Sequence, residues 1–160
     1  MVYPVQAIRR LRFKENDTRF VLENFKQEFG VSQNGISENF QLEGARTLYG
    51  TTKLASELLI TEYVDSYNMP IIINRCGVLT GPWQMGKVDQ GVVVLWMARH
   101  IFGGSLSYLG YNGSGKQVRD LLHVADLADL LRLQINDLKA HQGQTYNVGG
   151  GQGISVSLRE

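Results

Sequence analysis

A proline set between a long helical run and a segment that opens on three isoleucines constrains this chain more than any other feature. Residues 47–67 read as one helix, with Leu48, Ala55, Leu59 and Tyr63 placed to face a core. Thr47 suits the N-cap, although Gly50 stands where a capping box would put Glu. Met69-Pro70 stops the run, because a residue before proline avoids the helical region. Residues 71–79 then read as a strand, and three consecutive isoleucines point to burial on both faces, as in a central parallel strand. Gly81-Pro82 turns the chain at the strand's carboxyl end, where open α/β sheets bind ligands. The expected fold class is α/β.

Composition narrows the partners. The 160 residues suffice for one domain with a real core. A net charge of +1 argues against strong attraction to nucleic acid. The basic stretch from Ile8 to Lys14 is diluted by Glu15, Asp17, Glu23 and Glu28 and reads as a solvated face. Cys76, the single cysteine, cannot form an intrachain disulfide and fits a reducing compartment. No apolar run approaches the ~20 residues of a membrane span, and no secretory leader is recognisable. The expectation is a cytoplasmic protein without nucleic-acid or membrane partners. His100 and His141 lack neighbours at metal-ligand spacing, so no metal site is expected.

The remaining pattern alternates helix and strand. Phe20, Val21, Phe25 and Phe29 predict a short helix over 18–29, followed by a loop marked by Gly30 and Gly35. Asp89 can cap a helix over 90–102, with Val92, Leu95, Trp96 and Met97 on its apolar side and Gly103-Gly104 at its end. A strand over 106–109 and a turn over 110–115 follow. A helix over 124–138 carries Leu127, Leu130, Leu131 and Ile135, and Gly143 breaks it. Residues 145–148 read as a strand, and 155–160 as the start of a helix.

Tyr49 and Lys53 stand four apart near the start of the first long helix, on one face. A neighbouring positive charge favours phenolate, and a Tyr so tuned can exchange a proton near neutral pH. Such a pair carries little alone. Further motifs follow in order: Asn74-Arg75-Cys76-Gly77-Val78-Leu79-Thr80-Gly81-Pro82, then Gln117-Val118-Arg119-Asp120-Leu121-Leu122-His123-Val124-Ala125-Asp126, then Tyr146-Asn147-Val148-Gly149-Gly150-Gly151. Upstream lie Val2-Tyr3-Pro4 and the Glu38 loop, Gly35-Ile36-Ser37-Glu38-Asn39-Phe40. With Tyr49-Gly50-Thr51-Thr52-Lys53, this set resembles the extended short-chain dehydrogenase/reductase family, the NAD-dependent epimerases and dehydratases of nucleotide sugars. The segments Asn74-Arg75-Cys76-Gly77, Gly81-Pro82-Trp83-Gln84 and Gly86-Lys87-Val88-Asp89-Gln90-Gly91 are most similar to the CDP-paratose 2-epimerases, also called CDP-tyvelose epimerases.

The resemblance implies the C-terminal part of a Rossmann-like parallel sheet with pieces of a small substrate-binding lobe. It divides a single partial domain into residues 1–46, an active-site-covering loop region, 47–82, the catalytic helix and following strand, and 83–160, the substrate-side and C-terminal elements. It implies NAD as cofactor and a nucleotide sugar, here a CDP-sugar, as substrate. Tyr49 would move the hydroxyl proton while NAD takes a hydride from the sugar and returns it to the other face. Lys53 would hold the nicotinamide ribose, and Cys76, Gly77 and Val78 would border the nicotinamide. Many members carry Asn where this chain has Val78, so no hydrogen-bonding side chain is assigned there. Arg119, whose fork of donors suits a pyrophosphate, and Lys87 would bind the nucleotide diphosphate. Asp120 is the competing, structural partner for Arg119. His123 would start a helix rather than do chemistry.

Family members usually open with a strand, a Gly-rich turn and a helix that bind the pyrophosphate. The 160 residues show no such opening, and Gly149 to Gly153 leads into no strand-helix-strand unit. The expectation is a chain that starts just downstream of the catalytic Ser or Thr. A truncated and non-catalytic remnant, one half of a split enzyme completed by an N-terminal half-chain, and a homo-oligomer all stay open. So do a 4-epimerase and a 4,6-dehydratase, although the latter carry an acid where this chain has Met1.

Overall fold

The computed structural model describes residues 2–87 and 90–160. Helices and strands are interspersed along it: α1 (Val5–Arg10), β1 (Phe13–Glu15), β2 (Phe20–Leu22), β3 (Val31–Ser32), β4 (Gly35–Ile36), α2 (Leu48–Tyr67), β5 (Ile73–Cys76), β6 (Val78–Thr80), α3 (Val92–Phe102), β7 (Val118–His123), α4 (Val124–Asn136), α5 (Leu138–His141), β8 (Thr145–Val148) and β9 (Ser155–Ser157). The fold is mixed α/β and includes a parallel strand pair, β6 and β7. By its contacts the chain forms two compact units, one of residues 2–14, 21–75 and 131–148, the other of residues 15–20, 76–130 and 149–160.

The first unit holds the buried apolar cluster, and its location differs from expectation. Val2, Tyr3, Ala7, Leu11, Val31 and Phe40 form it, with Ile8, Leu22, Ile36 and Leu42 packed against them. All of these lie within the stretch expected to be a covering loop. The predicted helix over 18–29 does not form. Phe20–Leu22 pairs with β1 instead, and the Asn24 side chain accepts the Lys26 N–H, a local turn that competes with helix.

Helix α2 starts and stops on its own signals. Thr47 Oγ1 accepts the Gly50 N–H at 3.1 Å, the expected N-cap. Asn68 closes the other end in the left-handed conformation, φ 50°. Its rotation was not foreseen: Leu48, Ala55, Leu59 and Tyr63 are all exposed, while Gly50, Leu54, Glu57, Ile60 and Val64 turn inward. Apolar residues occupy both faces, so spacing could not choose between them. The pairing of Glu57 with Arg75 does.

The expected strand over 71–79 is two strands split at Gly77, and neither is fully buried. Within the first unit β5 neighbours β8, and Asn74 and Gln134 exchange amide hydrogen bonds of 2.8 and 3.0 Å. Gln134 takes an inward place on α4, leaving Leu131 and Ile135 exposed.

In the second unit β6 runs parallel to β7, with Thr80 opposite His123. β9 runs antiparallel on the other side of β7, with Asp120 opposite Ser155. This overturns the helix expected over 155–160, because the edge of β7 offers ladder partners to that segment. Residues 106–109 form no strand. Tyr108 instead stacks on Trp96 at 5.5 Å. Helix α3 begins at Val92 after Gly91, later than expected, and Met97 is exposed. Asp89, the expected cap, lies outside the described residues, as do Met1 and Val88.

Candidate functional site

In the first unit, the opening of α2 presents Tyr49 and Lys53 on one exposed face, with Tyr49 64 % exposed. Lys53 Nζ lies 5.4 Å from the centre of the Tyr49 ring, over its face rather than beside the hydroxyl. The Tyr49 hydroxyl and the Lys53 ammonium have no hydrogen-bond partner among the described residues. Both are therefore open to a ligand.

One turn further along α2, Glu57 opens a hydrogen-bonded network that joins several sequence motifs. Arg75 donates to Glu57 of α2 through Nε at 3.0 Å and Nη2 at 2.7 Å. Its Nη1 donates to the Tyr3 hydroxyl at 3.0 Å, and that hydroxyl donates to Asn147 Oδ1 at 2.6 Å. The Asn147 backbone N–H donates to Glu38, and its side-chain amide donates to the Ile36 carbonyl at 2.9 Å. Burial alone would lower the Arg75 pKa, and the hydrogen bonds to Glu57 and Tyr3 more than offset it, raising the guanidinium above its ordinary value. Sequence reasoning read these motifs as resemblance and missed that they bond to one another. Their polar residues at fixed places in otherwise apolar motifs were the available signal.

The other predicted site residues belong to the second unit. Cys76 is exposed, yet local desolvation pushes its thiol up. Gly77 links β5 to β6, and Val78 begins β6 opposite Leu121. Lys87 is exposed. Arg119 is exposed on β7 and donates to the Gln117 side chain and the Val118 carbonyl. Its expected structural partner is otherwise engaged: Asp120 accepts the Gly151 N–H at 3.1 Å. His123 Nδ1 accepts the Ala125 N–H at 3.2 Å, at the start of α4. A polar cavity of about 320 Å³ lined by Arg10, Leu11, Arg12, Asn24, Gln27 and Glu28 contains none of these residues. No group of three or more His, Cys, Asp or Glu among the described residues could hold a metal ion. No helix among them is long and apolar enough to cross a membrane.

The donor set fits one end of a nicotinamide dinucleotide. Tyr49 and Lys53 offer an open hydroxyl and an open ammonium, suited to a ribose and its neighbouring ring. The glycines at 149–151 do not fit its pyrophosphate. Gly150 N donates to the Leu121 carbonyl at 2.8 Å, and a Cβ on Gly149 would overlap the Asp120 carboxylate. The segment then enters a short 3-10 turn and β9, not a helix.

Comparison makes the family plain: the model of the NAD dependent epimerase/dehydratase family matches residues 5–149, and the chain belongs to that family. The chain is 26 % identical over 155 residues to a CDP-paratose 2-epimerase of Salmonella typhi, covering 96 % of this chain and 44 % of the relative. It is 31 % identical over 156 residues to an uncharacterized UDP-glucose epimerase of Bacillus subtilis (strain 168), covering 95 % and 46 %. A crystal structure of dTDP-glucose 4,6-dehydratase from Bacillus anthracis str. Ames, in complex with NAD, superposes with a TM-score of 0.62 at 26 % identity, covering 76 % of this chain and 35 % of that one. The chain thus spans less than half the length of these relatives.

Proposed function

We propose that this chain carries the proton-transfer helix and the substrate-side elements of an NAD-dependent nucleotide-sugar epimerase domain, with a CDP-sugar as substrate and carbon 2 as the inverted centre. The observation that carries the reading is the open, same-face pair of Tyr49 and Lys53. When bound, NAD supplies acceptance and return of the hydride. Tyr49 Oη takes the proton from the sugar hydroxyl whose carbon is oxidised and gives it back when that carbon is reduced on its other face. Lys53 holds a positive charge over the Tyr49 ring, where it favours the anion that develops on that side chain, and its ammonium can hold the ribose hydroxyls. Cys76, Gly77 and Val78 border the nicotinamide and leave it without a side-chain hydrogen bond at Val78. Lys87 and Arg119 bind the diphosphate of the substrate, Arg119 with the guanidinium edge it does not spend on Gln117 and Val118. CDP-paratose is the sugar nucleotide favoured by the Gly-Pro-Trp-Gln segment and by the relative from Salmonella typhi.

A second reading is favoured by the occupied backbone N–H groups of Gly150 and Gly151. In it the chain binds the nucleotide sugar but needs a further polypeptide, a half-chain or another copy, to hold the NAD pyrophosphate and turn over. Calorimetric titration with CDP and with NAD separates the two. Binding of both, with conversion of CDP-paratose seen by NMR, supports the first. CDP binding without NAD binding supports the second. In whichever assembly turns over, Tyr49→Phe should lower the rate at least 100-fold with CDP affinity kept. Undiminished turnover by that variant would falsify the proton-transfer role.

A further inference from the structure

The turn after β6 holds a tryptophan in a costly position. Trp83 is 96 % exposed and has φ 69°. A bulky residue in that region of backbone space is an outlier, and its indole gains nothing from burial. The turn is nonetheless well fastened. Gln84 N donates to the Gly81 carbonyl at 3.3 Å, and Gln84 Nε2 donates to the Leu79 carbonyl at 3.1 Å. Thr80 Oγ1 donates to Gln84 Oε1 at 3.0 Å. A Cβ on Gly81 would come within 2.6 Å of Val124 Cγ1, so the turn lies directly on the start of α4. The chain's other tryptophan behaves conventionally, half-buried and stacked on Tyr108.

The location gives the exposure a use. β6 and β7 run parallel with Thr80 opposite His123, so both strands finish at one edge, and Trp83 stands just beyond it. In open α/β sheets that edge receives ligands. A solvent-facing indole on a fastened turn there is a platform for a flat ring. Lys87, exposed four residues further on, offers a cation for an attached phosphate.

We propose that Trp83 is the stacking platform for the planar ring of a bound nucleotide, and so a determinant of which nucleotide the protein accepts. The assignment rests on the nucleotide-binding reading given above. The ring can come from the base of the nucleotide sugar or from the dinucleotide.

The chain has two tryptophans, so Trp96→Phe leaves Trp83 as its single indole emitter. Emission of that variant is followed, with indole-selective excitation, during separate titrations with CDP, UDP and NAD, and calorimetry runs in parallel. Quenching by CDP or UDP alone assigns the platform to the base of the sugar nucleotide, and quenching by NAD alone assigns it to the dinucleotide. Trp83→Ala should bind the quenching ligand roughly tenfold more weakly, while Trp83→Phe keeps most of the affinity. If Trp96→Phe fails to fold, the difference between the wild type and Trp83→Phe reports the same signal. Binding by calorimetry with Trp83 emission unmoved and Trp83→Ala unimpaired overturns the stacking role alone. Failure of all three nucleotides to bind overturns it together with the reading on which it rests.

Discussion

Arg75 holds Glu57 with two of its nitrogens, and the two side chains are only 10 % and 13 % exposed. This contact ties the strand after the proline to the helix that carries Tyr49 and Lys53. It lies one turn of helix beyond Lys53 and holds that part of α2 against β5. The same guanidinium reaches Tyr3, and through Tyr3 it reaches Asn147 on β8.

Glu57→Ala leaves that guanidinium sheltered and without its carboxylate, and should cost about 2–3 kcal/mol of folding free energy. Urea denaturation at neutral pH measures it. A loss below about 0.5 kcal/mol, the size found for exposed pairs, would show that the contact does not orient the helix. Replacing both residues by Met should recover part of the loss.

Gly30 sits at φ 81°, and a Cβ there would run into the backbone of Phe40, the most buried aromatic of the apolar cluster. Gly30→Ala therefore combines backbone strain with a clash against an atom that cannot swing away. The expected loss is about 1–3 kcal/mol, seen as a lower denaturation midpoint. Gly35→Ala is the control: its φ is also positive, but its Cβ would meet nothing within 4 Å. Equal losses in the two variants would remove the clash from the account.

Cys76 is the single thiol, and its raised pKa means less thiolate at neutral pH than an ordinary cysteine has. Alkylation by iodoacetamide near pH 8 should run slower than for a free thiol and should rise with pH at a higher midpoint. Saturating NAD should slow it further if Cys76 borders the nicotinamide. A rate unaffected by bound NAD would remove Cys76 from that border.

Glu160 has a lowered pKa, first because its carboxylate accepts the Ser157 N–H, and also through Thr18 and Arg19. A carboxyl depressed in the folded state contributes stability that is fully present above its unfolded value, about 4.5, and lost as pH falls through the folded value. The gap in melting temperature between wild type and Glu160→Gln should be present at pH 6 and should close on acidification below about 4.5. A gap independent of pH across that range would show that the charge is not what matters.

The sequence by itself determined the local elements whose causes are local. Thr47 and Pro70 delimit α2, Gly103 ends α3, and Gly143 stops the helical stretch before β8. Spacing along one helix also placed Tyr49 and Lys53 on a shared face, because four residues bring side chains round by about one turn. Tertiary structure decided what depends on distant partners. Which face of α2 is buried was settled by Arg75, which lies beyond the helix and its proline. Residues 155–157 became a strand because β7 offered them a ladder, although the alternation of Ile154, Ser155, Val156, Ser157 and Leu158 was already compatible with one. The resemblance made the stretch before residue 47 a covering loop, yet Val2, Tyr3, Leu11, Val31 and Phe40 form a core, since short segments bury side chains by converging rather than by repeating. Pattern reads only contacts made along the chain, whereas the pairings that orient this candidate site join residues tens of positions apart, such as Tyr3, Arg75 and Asn147.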